Sequence, residues 1–295
     1  MTDLAQFVDS RQVKRNFSRA ASGYEAAAVL PREISSRMLE RLDYVKIEPK
    51  RVLDLGCGTG VSLNALSERY PKSQVLGADF SEAMLQAGRS GRSPLRWLLP
   101  FLRANKASLI AAEASMLPFP AGSIGLLWSN QVLHWLDDPL SALREMHRVL
   151  DVGGLLMFST LGPDTLKELR TSFSDGYAHT QRFADMHDIG DMLLECGYSD
   201  PVMDVETLTL TYSGIDDLFK DLRQNGAGCA MLARRHGLMG RSSWQATLTR
   251  YEKLIEAGRL PATFEVVYGH AWKAQPRKAP DGSAIVRFDP KQRLR

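Results

Sequence analysis

The chain has 295 residues, of which 44% are hydrophobic and 24% charged, and its net charge is +3. This length allows one large domain or two small ones, and the composition is that of an ordinary globular protein. The charge is too small to indicate nucleic-acid binding, and no apolar run reaches the roughly 18–20 residues that span a bilayer. The three cysteines show no paired spacing, which argues against disulfides or zinc and favours a reducing, cytoplasmic location.

Two helices are predicted before the first strand. Apolar residues recur at helical spacing over roughly 10–20 and 24–43, and Tyr24 lies at the junction. Residues 1–45 are therefore interpreted as an N-terminal helical arm. The arm either covers an edge of the sheet or forms a lid over a ligand with Tyr24 inside, and the two interpretations are compatible.

A glycine-rich turn follows the first predicted strand, in the stretch RVLDLGCGTG at 51–60. The glycines, Gly56, Gly58 and Gly60, let a ligand lie against the backbone, and the helix that follows offers free N–H groups. The spacing differs from the G-x-G-x-x-G of dinucleotide-binding proteins. Asp54 precedes the glycines, where a carboxylate suits a cationic amine and would repel a pyrophosphate. The motif resembles motif I of the class I S-adenosylmethionine-dependent methyltransferases, in which these residues bind the cofactor.

Acidic residues also follow the next two predicted strands. Asp79 ends the strand at 74–78, where a carboxylate can accept hydrogen bonds from both ribose hydroxyls, and the ring of Phe80 can lie against the adenine. The strand at 108–112 is followed by Glu113 and Ala114. In methyltransferases an acid at this point accepts from the adenine amino group, so these residues are predicted to line the cofactor site.

The alternation of strands and helices predicts a Rossmann-like α/β fold of the class I methyltransferase type. Further strands are predicted at 124–129, 155–160, 202–212 and 263–273. Together they give a seven-stranded, mostly parallel sheet with helices on both faces, built from residues 46–161 and 186–273. Helices within 163–185 and 214–258 are predicted to cap the carboxyl edge of the sheet, where open α/β sheets bind ligands.

Two segments are rich in cations. Residues 89–106 contain five Lys and Arg residues and no acid, interleaved with aromatic and aliphatic side chains, and residues 274–295 form a basic tail. The tail is interpreted as a solvated chain end. The segment 89–106 is either a solvated surface with an apolar underside or a surface for an acidic partner.

Four stretches narrow the class of methyltransferase. They are RNFSRAASGY (15–24), RVLDLGCGTG (51–60), SNQVLHW (129–135) and FSTLGPDTLKELR (158–170). Together they resemble the malonyl-[acyl-carrier protein] O-methyltransferase family of bacterial biotin synthesis, from about residue 10 to residue 273. The glycine motif is shared by the whole superfamily, whereas the first and last stretches are more specific.

The resemblance implies methylation of the free carboxylate of a malonyl thioester on an acyl-carrier protein, with S-adenosylmethionine as methyl donor. The carboxylate is ionised at neutral pH and the sulfonium is a strong electrophile, so no general base is needed. Positioning and exclusion of water remain for the protein to supply. Carrier proteins are acidic helical bundles, so the basic segment 89–106 is predicted to help dock one.

Catalytic and substrate roles are predicted on the same basis. Tyr24, Asn130 and Arg170 are predicted to be catalytic, and Tyr24 and Asn130 also to contact the cofactor. The residues predicted to hold the substrate are Gln131, His134, Trp135 and Arg170. Arg170 is predicted to bind the malonyl carboxylate through bidentate hydrogen bonds from its guanidinium group. Each assignment has an alternative. His134 could be a residue at a helix start whose hydrogen bonds are made within the protein, Trp135 could pack in the core, and Arg170 could form a surface salt bridge.

Other function classes share parts of these patterns. Assembly-factor relatives of respiratory complex I have the same scaffold and a similar Asp-Thr-Leu-x-Glu-Leu-Arg stretch, and are associated with arginine hydroxylation. Another small-molecule methyltransferase would also keep the core motifs. Enzymes that methylate amino groups of nucleic acids often carry (Asp/Asn)-Pro-Pro-(Tyr/Phe) after strand four, which residues 129–132 lack. The histidines show no metal-ligand spacing, so no metal is predicted, and neither is a nucleic-acid or membrane partner.

Overall fold

The computed structural model describes residues 7–90 and 107–275. These residues form one seven-stranded sheet in the order β3-β2-β1-β4-β5-β7-β6. The strands are β1 (Arg51–Leu55), β2 (Gln74–Asp79), β3 (Ser108–Ala111), β4 (Ile124–Asn130), β5 (Leu150–Leu161), β6 (Tyr198–Tyr212) and β7 (Leu260–Lys273). Neighbouring strands from β3 to β5 are parallel, whereas β7 is antiparallel to both β5 and β6. The predicted mostly parallel sheet is confirmed.

Helices connect these strands and extend the N-terminus. They are α1 (Ser10–Ala20), α2 (Tyr24–Ala27), α3 (Val29–Arg41), α4 (Val61–Arg69), α5 (Glu82–Ser90), α6 (Pro139–Val149), α7 (Lys167–Ser172), α8 (Met186–Glu195), α9 (Ile215–Gln224) and α10 (Arg241–Glu252). The helix predicted over 24–43 is divided, because Ala28 leaves the helical region with ψ at 51°. Within 163–185 only α7 is helical, because Leu166 adopts a left-handed conformation with φ at 53°.

Several helices begin at an acidic capping residue. The Asp9 side chain accepts from the backbone N–H of Gln12 at the start of α1, and Asp138 accepts from Ser141 at the start of α6. Such caps satisfy backbone donors that have no partner within the helix. Pro139 at the first position of α6 is also favoured, since its fixed φ suits a helix start.

The sheet lies between two helical layers. Helices α3, α4, α9 and α10 pack on one face and α6 and α8 on the other, each around its own apolar cluster. Side chains of β4 show the alternation that makes this possible. Leu126 and Trp128 belong to the first cluster and Leu127 to the second, and all three are fully buried.

The parallel register aligns the carboxyl ends of the central strands at one edge of the sheet. Leu55 pairs with Ala78, and Asn130 pairs with Ser159. Asp79, one residue beyond Ala78, therefore lies at the same edge as Asn130. The polar residues that end these strands share one region, although they are far apart in sequence.

A helical roof covers this edge. We use the term roof for helices α1–α3 together with residues 225–235. The segment before α1 joins the second part through an antiparallel bridge between Val8 and Met231 and a hydrogen bond from Asp9 N to Ala230 O of 2.7 Å. Movement of this roof as a lid stays a prediction.

Two predictions fall wholly or mostly outside the described residues. Of the basic segment 89–106, the structure describes Arg89 and Ser90 at the end of α5, and residue 107 follows the gap. The basic tail is described only as far as residue 275. None of the described helices combines the length and apolarity needed to cross a bilayer.

Candidate active site

A cavity of about 420 Å³ lies at the carboxyl edge of the sheet, beneath the roof. Its size is within the range of small-molecule sites. The predicted site residues in its lining are Tyr24, Asp54, Gly56, Gly58, Asp79, Phe80, Glu113, Ala114, Asn130, Gln131, His134 and Trp135. Gly60 and Arg170 were predicted to belong to the site but do not line the cavity.

The glycine loop is shaped by left-handed backbone. Gly56, Gly58 and Gly60 have φ values of 75°, 55° and 86°. A Cβ added to Gly56 would lie 2.2 Å from Cγ2 of Val132, so this position has no room for a side chain. Gly60 precedes α4 as its N-cap, and its contribution is therefore to backbone geometry and not to direct lining.

Asp79 is fixed in place by the glycine loop and the next helix. One carboxylate oxygen accepts from Gly58 N and the other from Ser81 N, each at 2.8 Å. Asp79 is only 6% exposed. Burial raises the pKa of its carboxyl group, and the two N–H donors lower it by a smaller amount. Each oxygen still has accepting capacity beyond these bonds, as the predicted ribose-binding role requires.

Asp54 carries the most unusual electrostatic environment of the cavity. The residue is 2% exposed, and its Oδ2 has no hydrogen-bond partner within residues 7–90 and 107–275. Burial raises the pKa of Asp54 to about 8, and the charge of Asp79 contributes to the shift. A buried carboxylate without a partner is costly, and a cationic group nearby would relieve that cost. The arrangement fits a positively charged ligand.

Tyr24 extends the cofactor side of the cavity from the start of α2. Its ring lies over the glycine loop, with Cε1 3.8 Å from the position a Cβ would take on Gly58. Burial raises the pKa of Tyr24 to about 12, with a further contribution from the Asp79 charge. The hydroxyl therefore stays protonated at neutral pH and is a hydrogen-bond donor, not a base.

Asn130 and Gln131 line the cavity at the end of β4, the strand that pairs with β1. Asn130 Oδ1 accepts from Ser159 Oγ at 2.7 Å, and its Nδ2 donates to Pro31 O at 2.9 Å, which ties β4 to β5 and α3. Gln131 has φ at 58°, a strained conformation for a non-glycine residue, and its N–H donates to Ser159 O. Its buried Nε2 has no partner in the described chain. It is thus a donor available to a ligand.

His134 and Trp135 form an aromatic part of the lining. The Nδ1 atom of His134 lies 3.1 Å from Thr160 Oγ1, and its ring contacts Trp135 and Phe183. Burial lowers the pKa of His134 to about 3, so the ring is neutral. The Trp135 ring meets Phe17 edge to face at 5.2 Å. These residues supply an apolar wall and no positive charge.

Arg170, which was predicted to bind the substrate carboxylate, lies away from the cavity in this structure, and its role stays a prediction. Its guanidinium donates to Pro163 O at 2.6 Å and Thr165 O at 3.2 Å. Because α7 is short and begins after the left-handed Leu166, Arg170 folds back on its own turn and lies outside the cavity lining.

Arg32 is the cation that sequence reasoning missed. Among the described residues it is the only Lys or Arg in the cavity lining, and its guanidinium donates to the carbonyl of Glu25. It also acts electrostatically on Tyr24, whose pKa its charge lowers against the larger effect of burial. In the sequence, the only indication of this role was that Arg32 follows Tyr24 by two helical turns. That spacing is weak evidence, because many helices near a binding site carry an Arg that does not contact the ligand.

No group of three or more His, Cys, Asp and Glu side chains in the described ranges is arranged to hold a metal ion. The predicted absence of a metal cofactor stays a prediction. The charged groups in the described lining are one guanidinium, that of Arg32, and six carboxylates, and this mixture is suited to an organic ligand. The carboxylates are those of Asp54, Asp79, Glu113, Asp137, Asp138 and Asp221.

The sheet order, the glycine loop and the acids at the strand ends define a class I methyltransferase. Residues 53–158 match the family model described as "Methyltransferase domain". The solved structure of the YcgJ protein from Bacillus subtilis resembles this chain with a TM-score of 0.58 and 14% identity, over 83% of this chain and 100% of that one. At this identity the likeness supports the fold alone.

Two full-length relatives specify the family. The malonyl-[acyl-carrier protein] O-methyltransferase of Gallionella capsiferriformans is 48% identical over 282 residues, covering 95% of this chain and 96% of the relative. The protein of the same name from Laribacter hongkongensis is 47% identical over 291 residues, covering 97% and 98%. The chain belongs to the malonyl-[acyl-carrier protein] O-methyltransferase family and is an S-adenosylmethionine-dependent O-methyltransferase.

Proposed function

We propose that the chain transfers a methyl group from S-adenosylmethionine to the free carboxylate of a malonyl thioester on an acyl-carrier protein, giving the methyl ester. The observation that carries this proposal is the 48% identity, over 95% of the chain, to a relative named for that reaction. The cavity supports it, because its lining holds an unpartnered acceptor for a cation, Asp54 Oδ2, and donors for an anion, Arg32 and Gln131 Nε2.

The residues of the glycine-loop side fit S-adenosylmethionine, which supplies an electrophilic methyl group on a sulfonium when bound. Asp54 Oδ2 lacks a partner in the described chain and would accept from the ligand's ammonium group. Asp79 would accept from the ribose hydroxyls, and Glu113 from the adenine amino group. At Gly58 the nearest atom to an added Cβ is Tyr24 Cε1 at 3.8 Å, so the backbone there leaves space for the ligand.

The opposite side fits a carboxylate nucleophile. A malonyl carboxylate is ionised at neutral pH, so neither the neutral His134 nor the protonated Tyr24 has to remove a proton. On leaving water the carboxylate needs donors, and Arg32 and Gln131 Nε2 supply them. Arg32 also donates to Glu25 O, so its donors are shared. We infer that Arg32 therefore binds the carboxylate weakly enough to leave it nucleophilic.

Aromatic side chains are suited to keep water out of the cavity. Phe17 on α1 meets Trp135 at 5.2 Å and Phe80 at 6.2 Å, both edge to face. The three rings pack against the apolar cluster that joins Val13 to Met231 under the roof. A dry site strengthens the hydrogen bonds that orient the two reactants.

Mass spectrometry of the carrier protein tests the proposal. Malonyl-carrier protein incubated with this enzyme and S-adenosylmethionine should gain one methyl group, and cleavage of the thioester with mild alkali should release that methyl from the carrier protein together with the acyl group. Acetyl-carrier protein is the matched control, since it has the thioester but no free carboxylate, and should gain none. An enzyme that binds S-adenosylmethionine yet leaves malonyl-carrier protein unchanged would contradict the proposal and favour another substrate.

A further inference from the structure

Helix α1 has two faces of different character. Its inner face places Ser10, Val13 and Phe17 in the cavity lining. Its outer face carries exposed cations, and the helix contains no acid. These cations are Arg11, Lys14, Arg15 and Arg19, of which Lys14 also acts electrostatically on the buried Asp79. None of them forms an ion pair with a residue in the described parts of the chain. We call this set the α1 basic face.

Most of the α1 basic face is unfavourable for the helix itself, and only Arg19, in the last turn, is favoured by the helix dipole. Arg11 lies in the first turn, where the positive end of the helix dipole disfavours a cation. Arg11, Arg15 and Arg19 are spaced four residues apart, so they are neighbours on one side of the helix, and like charges at this spacing destabilise it. Neutral polar residues would cover the cavity equally well. The charges are therefore better explained by a contact outside the chain.

The nearby Asp9 does not neutralise the arginines of this face. Asp9, at the start of α1, is already bound to Arg234 at 2.9 Å on the other side of the roof. The Asp9 side chain also caps α1, because it accepts a hydrogen bond from Gln12 N. Positive charge on the outer face is thus left for a partner, and its attraction acts over roughly 8 Å at physiological salt.

We propose that the α1 basic face docks the acidic surface of the acyl-carrier protein that delivers the substrate. This inference rests on the proposed function, which names a carrier protein as the substrate's vehicle. A carrier protein seated here lies one helix from the cavity, a thickness of about 10 Å. Its flexible arm then has only to pass around α1 to bring the thioester to the lining.

The position of this docking face is fixed relative to the site. Asn16 Nδ2 donates to Gly228 O at 3.0 Å, and the hydroxyls of Ser18 and Ser81 lie 3.1 Å apart. The first contact joins α1 to the rest of the roof, and the second joins it to the start of α5 beside Asp79. The helix that would receive the carrier protein is therefore held against the loop that lines the cofactor side.

The test compares a carrier-protein substrate with a small one. The triple variant Arg11→Glu, Arg15→Glu, Arg19→Glu should raise KM for malonyl-carrier protein at low salt by at least about tenfold and flatten its salt dependence. KM for malonyl-pantetheine and Kd for S-adenosylmethionine should stay within about twofold of wild type, because none of these residues lines the cavity.

A matched control changes the same charge elsewhere. Lys46, Lys50 and Lys72 are exposed, and Lys50 and Lys72 precede β1 and β2 at the opposite, amino edge of the sheet. Replacing all three by Glu should leave KM for malonyl-carrier protein unchanged. If the reversed α1 variant fails to fold by circular dichroism, Arg11→Gln, Arg15→Gln, Arg19→Gln replaces it, with a smaller rise in KM expected.

The outcomes separate the docking proposal from the proposed function. An unchanged KM in the α1 variant, an equal rise in the lysine control, or a rise for malonyl-pantetheine as well would each overturn docking by α1. Direct binding of unloaded carrier protein, measured by fluorescence anisotropy, gives an answer independent of turnover. Binding that α1 reversal abolishes supports docking even where no methyl is transferred. Absence of carrier binding, with binding to duplex DNA or anionic vesicles instead, overturns it.

Discussion

The two sides of the cavity are built in different ways. The glycine-loop side, residues 54–60 and 79–81, is held by hydrogen bonds between adjacent strand ends, such as Gly58 N to Asp79 at 2.8 Å. The roof is held by contacts between segments far apart in the chain, such as Asn16 to Gly228, 212 residues apart. Apart from Tyr24, which the roof supplies, the cofactor side therefore depends on local backbone geometry, whereas access to the substrate side depends on distant parts of the fold remaining together.

The two sides also differ in charge. Asp54, Asp79 and Glu113 place carboxylates around the glycine loop, and the roof contributes Arg32 inside and the α1 basic face outside. The first set matches a cationic methyl donor and the second an anionic acceptor on an acidic carrier. Changes on the first side should therefore alter affinity for S-adenosylmethionine, and changes on the second should alter KM for the thioester.

The largest effect is expected from Gly56→Ala on the glycine-loop side. The new Cβ meets Val132 in a left-handed backbone, and together these cost roughly 2–5 kcal/mol. Affinity for S-adenosylmethionine, measured by calorimetry, should fall on the order of 100-fold. Gly153→Ala is the control, because φ is 79° there but nothing lies within 4 Å of the added Cβ. An equal loss of affinity in the control would show that strain alone, and not the cavity, is responsible.

A smaller effect is expected from protonation of Asp54. Its folded pKa is about 8, whereas that of an unfolded Asp is about 3.9. Binding a cationic ligand releases this proton, so affinity for S-adenosylmethionine should rise roughly tenfold between pH 6 and pH 7. Asp54→Asn should remove the rise, and Glu48→Gln, exposed near the other edge of the sheet, should not. Calorimetry in buffers of different ionisation enthalpy measures the released proton directly.

The same shift makes a prediction for stability. The folded chain binds more protons than the unfolded chain between the two pKa values of Asp54. Its contribution to stability is therefore complete below about pH 4 and is lost as pH rises towards 8. Urea unfolding without ligand should show a steeper decline over this window in wild type than in Asp54→Asn. Parallel curves would show that Asp54 is already ionised in the free protein.

On the substrate side, Arg32→Lys keeps the charge but removes the guanidinium fork. KM for malonyl-carrier protein should rise about tenfold, with Kd for S-adenosylmethionine unchanged. Arg37→Lys is the control, because Arg37 lies on the same helix but pairs with Glu33 and Glu206 outside the cavity. A wild-type KM in Arg32→Lys would leave Gln131 as the main donor to the carboxylate.

Sequence reasoning succeeded where a local pattern determines position. Asp54, Asp79 and Glu113 each follow a predicted strand, and parallel pairing then brings them to one edge without further information. The family resemblance was recognisable for a related reason, since its motifs are continuous stretches. The mostly parallel sheet, too, followed from the alternation of strands and helices.

It failed where a side chain's position depends on tertiary contacts. Arg170 ends a recognisable motif, yet the left-handed Leu166 shortens α7 and turns the guanidinium back to Pro163 O. Arg32 belongs to no motif quoted from the sequence, and only the crossing of α3 over β4, through Asn130 and Pro31 O, brings it to the cavity. Neither outcome could be read from spacing, because each is set by elements far apart in the chain.

A weaker test of the roof removes one of its long-range contacts. Asn16→Ala loses the hydrogen bond to Gly228 O, worth about 0.5–1.5 kcal/mol. KM for malonyl-carrier protein should rise about threefold as the roof loosens, with little change in affinity for S-adenosylmethionine. Asn64→Ala on the exposed side of α4 is the control and should match wild type in both. A loss of cofactor affinity equal to the change in KM would mean that the roof and the glycine-loop side act as one unit.

The smallest effect is expected from Arg170→Lys. This variant tests whether membership of the family motif or position in the cavity decides which Arg contacts the substrate. Arg170 is exposed, its donors are used by Pro163 O and Thr165 O, and it lies outside the cavity lining. Lysine can keep one of these two bonds, so stability should fall by about 0.5–1 kcal/mol, measured by urea unfolding. Turnover and KM should stay within about twofold of wild type, in contrast to Arg32→Lys. A tenfold rise in KM here, with an unchanged KM in Arg32→Lys, would mean that α7 moves during turnover and that Arg170 reaches the carboxylate in a second arrangement of the cap.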